Sequence, residues 1–343
     1  MGMNQLKPGH RWGFFPAAGL GWNLNREEWF NNAVPAINTF KLRANYGING
    51  DDGAASYFRN ATSTISEHYY SYMKFYEISS TDKVFLGGNN LGYKTMSENG
   101  IPYISKWTQI KRFTIGFDLE AFERTLSASV EFFNNNFSDI AQSRRINNSN
   151  MSGITLPREY AVKHRQNGLE FDLSYQNRFK DFNIYGSANA TVYYTKLLGY
   201  NEPVYPEPYM QREGKRYNQI FGYVADGFFQ SQAEIDQYLQ TTKIEGYIPV
   251  PGDLKYKDLN SDGIIDGKDI KEIGTTKPRV EYGIYLGAEW KGIDLHMQWA
   301  GIANYDVTMQ NLPFQINSKG GYGQAREEHL NRWTPDNPNA DYP

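Results

Sequence analysis

The chain has 343 residues, of which 40% are hydrophobic, so it is long and apolar enough to bury a sizeable surface. Its 35 basic and 38 acidic side chains nearly cancel, so the composition lacks the basic surface that nucleic-acid binding requires. Cysteine is absent, which excludes disulfides, thiolate zinc sites and cysteine nucleophiles.

Aromatic residues make up 15% of the chain, with 26 Tyr against 20 Phe and 7 Trp. Tyrosine suits boundaries between apolar and wet surroundings. No apolar run reaches about 18 residues, so the sequence predicts no transmembrane helix. A mean hydropathy of −0.66 is typical of soluble proteins, but a membrane β-strand exposes only alternate residues to lipid and escapes this average.

Eight segments alternate between apolar and polar residues with the period of a β-strand that has one wet face. In chain order their apolar positions are a weaker set at Ala18, Leu20, Trp22 and Leu24; Phe40, Leu42, Ala44, Tyr46 and Ile48; Phe113, Ile115, Phe117 and Leu119; Leu126, Ala128, Val130 and Phe132; Leu169, Phe171, Leu173 and Tyr175; Ile184, Gly186, Ala188, Ala190 and Val192; Tyr282, Ile284, Leu286, Ala288 and Trp290; and Ile293, Leu295, Met297 and Trp299. The sequence therefore predicts an all-β fold.

The connections between these strands alternate in length. They cover residues 25–38, 49–106, 120–124, 138–166, 179–181, 197–278 and 291–292. After the medium first link, long and short links alternate strictly, so tight turns lie at one end of the strands and long loops at the other. Bacterial outer-membrane barrels have this asymmetry, and a soluble sandwich has no reason for it. We therefore predict an antiparallel transmembrane β-barrel segment of about eight strands with long extracellular loops.

The longest loop, 197–278, contains two locally ordered segments. Ser231 and Glu234 have the spacing of a capping box, which predicts a short helix over about residues 232–240. Pro203, Pro206 and Pro208 predict an extended linker over 200–209.

Residues 258–269 of the same loop match the EF-hand calcium loop, in a dockerin-like form without evident flanking helices. The predicted calcium ligands are Asp258, Asn260, Asp262, the Ile264 carbonyl, Asp266 through water, and Asp269. Gly263 stands at the position of the sharp turn, and Asp269 replaces the usual Glu. The bound Ca²⁺ would be structural, holding a long loop in shape. Alternatively, the segment is an Asp- and Asn-rich turn whose side chains bond local backbone groups.

No catalytic set is predicted. The histidines, His10, His68, His164, His296 and His329, are scattered without metal-ligand spacing and are interpreted as surface or loop residues. No glycine-rich phosphate loop follows a predicted strand. We therefore predict that the protein is not an enzyme.

The run from Gly252 to Asp266, with Asp253, Tyr256, Asp258, Asn260, Asp262, Gly263 and Asp266 in register, resembles the hallmark of SusC/RagA-type TonB-linked outer-membrane receptors. Local matches in family order cover essentially the whole chain: 13–22, 41–47, Asn167 to Glu170, 221–223 with 226–230, Lys277-Pro278, and Asn331 to Pro335. The chain is thus similar to the barrel region of that family.

The resemblance implies a barrel of about 22 strands with an N-terminal plug. It also implies a location in the bacterial outer membrane and a SusD-like surface lipoprotein as partner. The imported nutrients would be oligosaccharides or peptides, with energy from the TonB complex. We expect residues 1–343 to form a non-autonomous part of such a receptor, without its signal peptide, plug and TonB-contacting N-terminal region.

The competing hypothesis is a secreted, calcium-stabilised β-sandwich that binds carbohydrate. The two differ in where the apolar faces of the strands point. In a barrel these faces meet lipid in a band about 25 Å tall with aromatic girdles, whereas in a sandwich they are occluded between two sheets.

Overall fold

The computed structural model describes residues 2, 6–51, 75–85, 92–99, 106–142, 159–308 and 326–342. In chain order the strands are β1 (Ala17–Asn23), β2 (Ile37–Asp51), β3 (Phe75–Phe85), β4 (Gly92–Asn99), β5 (Thr108–Ala121), β6 (Leu126–Gln142), β7 (Glu159–Phe179), β8 (Phe182–Gly199), β9 (Gln219–Gly222), β10 (Ala225–Phe228), β11 (Lys243–Ile244), β12 (Leu254–Tyr256), β13 (Ile264–Ile265), β14 (Lys271–Thr275), β15 (Val280–Trp290) and β16 (Ile293–Ala303). The α-helices are α1 (Glu28–Ala33) and α2 (Gln232–Tyr238), and 3₁₀ turns cover Leu24–Arg26, Pro208–Met210, Gly267–Asp269 and Glu327–Asn331. No helix among the described residues is long and apolar enough to cross a bilayer.

Eight strands form one antiparallel sheet in the order β1-β2-β5-β6-β7-β8-β15-β16. Each of the eight predicted segments lies in one of these strands, except that Leu24 of the first segment falls in the 3₁₀ turn after β1. The prediction of an antiparallel sheet of about eight strands is confirmed. The order of the strands in the sheet follows their order in the chain, whether the link between two neighbours has two residues or eighty. This is the order of an up-and-down sheet.

The strands β6, β7 and β8 have 17, 21 and 18 residues and are longer than the alternating segments that predict them. The predicted loop 138–166 is correspondingly too long, because β6 continues to Gln142 and β7 begins at Glu159. The reason is visible at Asn134, Asn135 and Asn136, which pair with Asn167, Gln166 and Arg165. Both faces are polar there, so the alternation ends although the hydrogen-bonded ladder continues.

The chain divides into two compact units. The sheet unit comprises Met1–Pro203, Glu213–Tyr217 and Arg279–Ala303, and the link unit comprises Val204–Arg212, Asn218–Pro278 and Asn304–Pro343. The link unit contains β9–β14, which form three two-stranded pairs, and α2.

The predicted helix is confirmed in the link unit, where it ends at Tyr238. Ser231 is its N-cap, and the Ser231 side chain accepts a hydrogen bond from the Glu234 amide at 3.2 Å. The predicted extended linker over 200–209 contains no helix or strand before Pro208–Met210, which form a 3₁₀ turn, and Asn201 departs from an extended conformation with φ +47°. Fully buried residues such as Phe229, Ile235 and Pro249 lie at the centre of this unit.

Candidate functional site

One face of the eight-stranded sheet is apolar and exposed. Leu20 is 81% exposed, Ile115 49%, Leu173 48% and Leu286 47%, although all lie within regular strands. Within the eight alternating segments, no charged residue lies on this face of the sheet. An exposed apolar surface of this extent marks contact with lipid or with another protein.

Aromatic side chains lie near both ends of this face. Close to the short turns are Trp22, Phe179, Phe182 and Trp290; toward the long links are Tyr46, Phe113, Tyr194, Tyr282 and Trp299. Along β15, Tyr282 and Trp290 are eight steps apart, which corresponds to about 26 Å along the strand and roughly 20 Å of height at the usual barrel tilt. The spacing fits the aromatic girdles of a membrane barrel, whose apolar band is about 25 Å tall. Among the described residues no second sheet covers this face, so the sandwich hypothesis finds no support.

The opposite face is polar and carries a network of ion pairs. The Arg43 guanidinium contacts Asp118 Oδ2 at 3.2 Å and makes a second ion pair with Glu131. Ser129 Oγ donates to Asp118 Oδ1 at 2.9 Å, so hydrogen bonds and ion pairs cross β2, β5 and β6. The alternation places each of these side chains on the wet face. The sequence did not reveal their pairing, because the register between β2 and β5 is set across a long link.

His164 stacks between two aromatic rings within β7, whereas the sequence predicts a surface or loop residue. Its ring lies 4.2 Å from that of Phe137 and 4.4 Å from that of Tyr217, with interplanar angles of 13° and 6°. Burial lowers the pKa of His164 to about 4. His164 lies 15 residues from the turn end of β7, beyond the 9 to 11 residues that cross a bilayer. His329 lies in the 3₁₀ turn Glu327–Asn331, as a loop residue would, but it is only 6% exposed and accepts the Arg326 amide at Nδ1. His68 lies outside the described residues.

The stack fixes the segment 213–217 to the sheet. Gly214 donates to the Leu197 carbonyl at 2.8 Å, Leu197 donates to the Lys215 carbonyl at 2.7 Å, and the Tyr217 amide donates to Thr195 Oγ1 at 3.3 Å. This segment lies within the long link between β8 and β15, so the stack holds one point of that link against the strands.

The side chains of the predicted calcium loop, 258–269, bond mainly to the loop's own backbone. Asp258 accepts the amides of Ser261 and Gly263 at 2.6 and 2.8 Å. Asn260 Oδ1 accepts the Asp262 amide at 3.1 Å, and Asp262 Oδ1 accepts the Ile264 amide at 2.9 Å. Gly263 has φ +79°, which is the left-handed conformation expected at the sharp turn.

The second half of the loop closes around a buried carboxylate. Asp269 is fully buried and accepts the amides of Leu259 at 2.7 Å and Asp266 at 3.0 Å. Asp266 in turn accepts the Lys268 amide at 2.7 Å. A single side chain thus ties the start of the loop to its end.

Lys268 was not predicted to take part in the site. Its ammonium lies 2.9 Å from Asp262 Oδ2 and 3.4 Å from Asp266 Oδ2, so a side chain of the protein pairs with two of the predicted ligands. The hydrogen bond and charge of Asp262 raise the pKa of Lys268. A basic residue next to the last ligand position was the only sequence signal for this contact.

The donor set suits Ca²⁺, because it consists of hard oxygens, and the same oxygens accept amides of the loop's backbone. No group of three or more His, Cys, Asp or Glu side chains within the described ranges is arranged to hold a metal ion. These contacts are those of the Asp- and Asn-rich turn, and calcium binding stays a prediction.

No family model matches the chain. TonB-dependent receptor P3 of Formosa agariphila is 21% identical over 100% of this chain, a match that covers 33% of that receptor. TonB-dependent receptor SusC of Bacteroides thetaiotaomicron is 22% identical over 89% of this chain and 29% of its own length. The chain therefore spans about a third of the length of the curated relatives it matches.

Two solved structures share the fold. The RagAB peptide transporter superposes with a TM-score of 0.67 at 18% identity, covering 99% of this chain and 35% of that chain. The RagAB peptide importer in its open-open state gives a TM-score of 0.69 at 18% identity, covering 99% of this chain and 34% of that chain. At this identity the likeness establishes the fold, an antiparallel barrel segment.

Proposed function

We propose that this chain, which belongs to the SusC/RagA family of TonB-linked receptors, acts in the import of nutrients across the bacterial outer membrane. The observation that carries the proposal is the exposed apolar face with aromatic side chains near both of its ends. Such a face is stable against lipid hydrocarbon and is costly in water. The polar face, with its ion pairs, then lies on the water-filled side of the sheet.

The finer features of the proposal rest on the resemblance to SusC/RagA-type receptors. We propose that the long links face the outside of the cell, that a surface lipoprotein of the SusD type binds there, and that TonB supplies the energy. Oligosaccharides or peptides are the proposed nutrients. The RagAB structures are those of a peptide importer, which supports a peptide at least as well as a sugar.

Deletion of the gene tests the import function. We expect the protein in the outer-membrane fraction, and we expect the deletion strain to lose uptake of either an oligosaccharide or a peptide pool, with uptake restored by the intact gene but not in a strain without TonB. A protein that is found in the secreted fraction, or a deletion that leaves uptake of both pools unchanged, would contradict the proposal.

We also propose that residues 258–269 bind Ca²⁺ as a structural ion. The support is the register of oxygen-bearing residues, and the proposed ligands are Asp258, Asn260, Asp262, Ile264, Asp266 and Asp269. The ion pairs of Lys268 with Asp262 and Asp266 oppose cation binding, so the affinity should be modest. About 1 mM calcium, as outside a cell, is the relevant concentration.

Thermal unfolding of the full-length protein in about 1 mM Ca²⁺ or in EDTA tests this second proposal. We expect Ca²⁺ to raise Tm and to protect the loop from proteolysis, with a larger effect in Lys268→Gln and none in Asp258→Asn. The control is Mg²⁺ at the same concentration. Identical Tm values in Ca²⁺ and EDTA for both the wild type and Lys268→Gln would show that the loop is a turn without a cation.

A further inference from the structure

An open cavity of about 450 Å³ lies on the polar face of the sheet, over β1, β2, β5 and β6. Small residues line it on the side of β1, among them Ala17, Gly19 and Gly47, because Ala17 pairs with Gly47 at the edge of the sheet. Its volume falls in the usual range of small-molecule sites, about 300 to 1,000 Å³. The polar wall opposite contains Arg112, Thr114 and Glu131.

Arg112 is the poorly paired charge of this wall. Its guanidinium lies 3.5 Å from Glu131 Oε1, at the outer limit of a hydrogen bond, and its side chain is 47% exposed. Glu131 is already paired with Arg43 and is almost buried. Among the described residues Arg112 makes no other polar contact, so most of its five donors face the cavity or solvent.

The surroundings of Arg112 are fixed in advance. Arg43 is held by Asp118 as well as Glu131, and Asn45 Nδ2 donates to Thr114 Oγ1 at 3.2 Å. The two arginines and two carboxylates of this network balance in charge, so a ligand carboxylate meets the donors of Arg112 without displacing an existing strong pair. A guanidinium binds a carboxylate through two parallel hydrogen bonds.

We propose that this cavity is a subsite for a carboxylate group of the imported nutrient, with Arg112 as the residue that pairs with it. The subsite rests on the proposed import function, because it requires the polar face to line the route of the nutrient. The carboxylate could belong to an acidic sugar or to a peptide, and the probes below separate these sources.

Isothermal titration of the full-length protein with four probes tests the subsite. The probes are a galacturonic acid trimer, its methyl ester, a glutamic acid tripeptide, and the methyl ester of that peptide. We expect one acid to bind, and to bind about 10- to 100-fold more weakly to Arg112→Gln. Binding of the matching ester should be weak and should not change with the variant. Lys41→Gln is the matched control, since it removes one positive charge from the same face outside the cavity.

Three results would overturn the subsite: binding of neither acid, equal affinity of Arg112→Gln and the wild type, or an equal loss in Lys41→Gln. None of these depends on where the protein is located. A protein that reaches the outer membrane and supports uptake, but whose binding is insensitive to Arg112, refutes the subsite alone. A protein that is absent from the outer membrane refutes the import function.

Discussion

The sheet unit and the link unit hold their shapes by different interactions. In the sheet unit, long strands are joined by continuous backbone ladders, and large apolar side chains such as Leu173 remain exposed. In the link unit, the paired strands have only two to five residues. Its interior contains the buried side chains of Phe229, Ile235 and Asp269, and the Asp269 carboxylate accepts hydrogen bonds from backbone amides. On the proposed function, lipid surrounds the first unit, whereas the second unit depends on its own buried interior.

An arginine on the apolar face should produce the largest effect of the substitutions below. In Leu173→Arg a charge enters the proposed lipid band, which should cost about 2–4 kcal/mol of unfolding free energy. The matched control is Ser174→Arg, one residue along the same strand on the polar face. Urea unfolding of the full-length protein in lipid vesicles, followed by tryptophan fluorescence, measures both. Equal costs for the two variants would show that the faces of β7 do not differ in environment.

Loss of the Asp269 carboxylate should destabilise the link unit alone. Asp269→Ala leaves the amides of Leu259 and Asp266 without acceptors in a buried place, which should cost about 1–3 kcal/mol. Asp269→Asn keeps one acceptor and should lose less. Limited proteolysis of the loop in EDTA measures the change, with urea unfolding of the sheet as the control. A shift in the unfolding of the sheet would contradict the expectation that the effect of Asp269 is confined to the link unit.

The stack at His164 should weaken as the pH falls. The pKa of His164 is about 4 in the folded protein against 6.5 for an ordinary histidine, so protonation favours the state in which the ring has left the stack. The contribution of the neutral His164 ring to stability is complete above about pH 6.5 and is lost as the pH falls toward 4. Because the ring is partly exposed, this loss should be about 1–2 kcal/mol. Hydrogen exchange of residues 213–217, corrected for intrinsic rates, measures it at pH 7 and 4.5. His164→Phe keeps the stack without a titrating group, and the pH dependence should disappear; an unchanged dependence would assign it to another group.

Removal of the cap of α2 should have the smallest effect. Ser231→Ala deletes the acceptor of the Glu234 amide and should cost about 1 kcal/mol, whereas Ser231→Asp keeps an acceptor. Amide exchange within Gln232–Tyr238 is the measurement. A loss that spreads to β15 would show that the link unit is coupled to the sheet.

The sequence predicts the sheet well because a strand with one apolar face leaves a direct record, as in 40–48 and 169–175. The alternation ends at 134–136, where both faces are polar, so the sequence predicts loops for the outer parts of β6 and β7. The register that joins Arg43 to Asp118 and Glu131 leaves no such record, because it is set by pairing across distant segments.

In the link unit the short strands have no room for a period, and only local motifs are readable. Ser231 and Glu234 predicted α2, since a cap depends on residues three positions apart. The loop 258–269 was identified from its oxygen-bearing residues, but the ion pairs of Lys268 depend on how its long side chain folds back. The stack of His164 with Tyr217 joins residues about 50 positions apart and could not be read at all.

The most direct test of the central claim is single-cysteine labelling along β15, in a chain whose 343 residues include no cysteine. Cysteines are placed one at a time at positions 282 to 290 of the full-length protein in lipid vesicles, and each is exposed to a lipid-soluble and to a water-soluble maleimide. We predict that even positions, such as Ile284 and Leu286, react with the lipid-soluble reagent and odd positions, such as Gly283 and Tyr285, with the water-soluble one. If even and odd positions react alike with both reagents, the apolar face does not meet lipid and the barrel account is wrong.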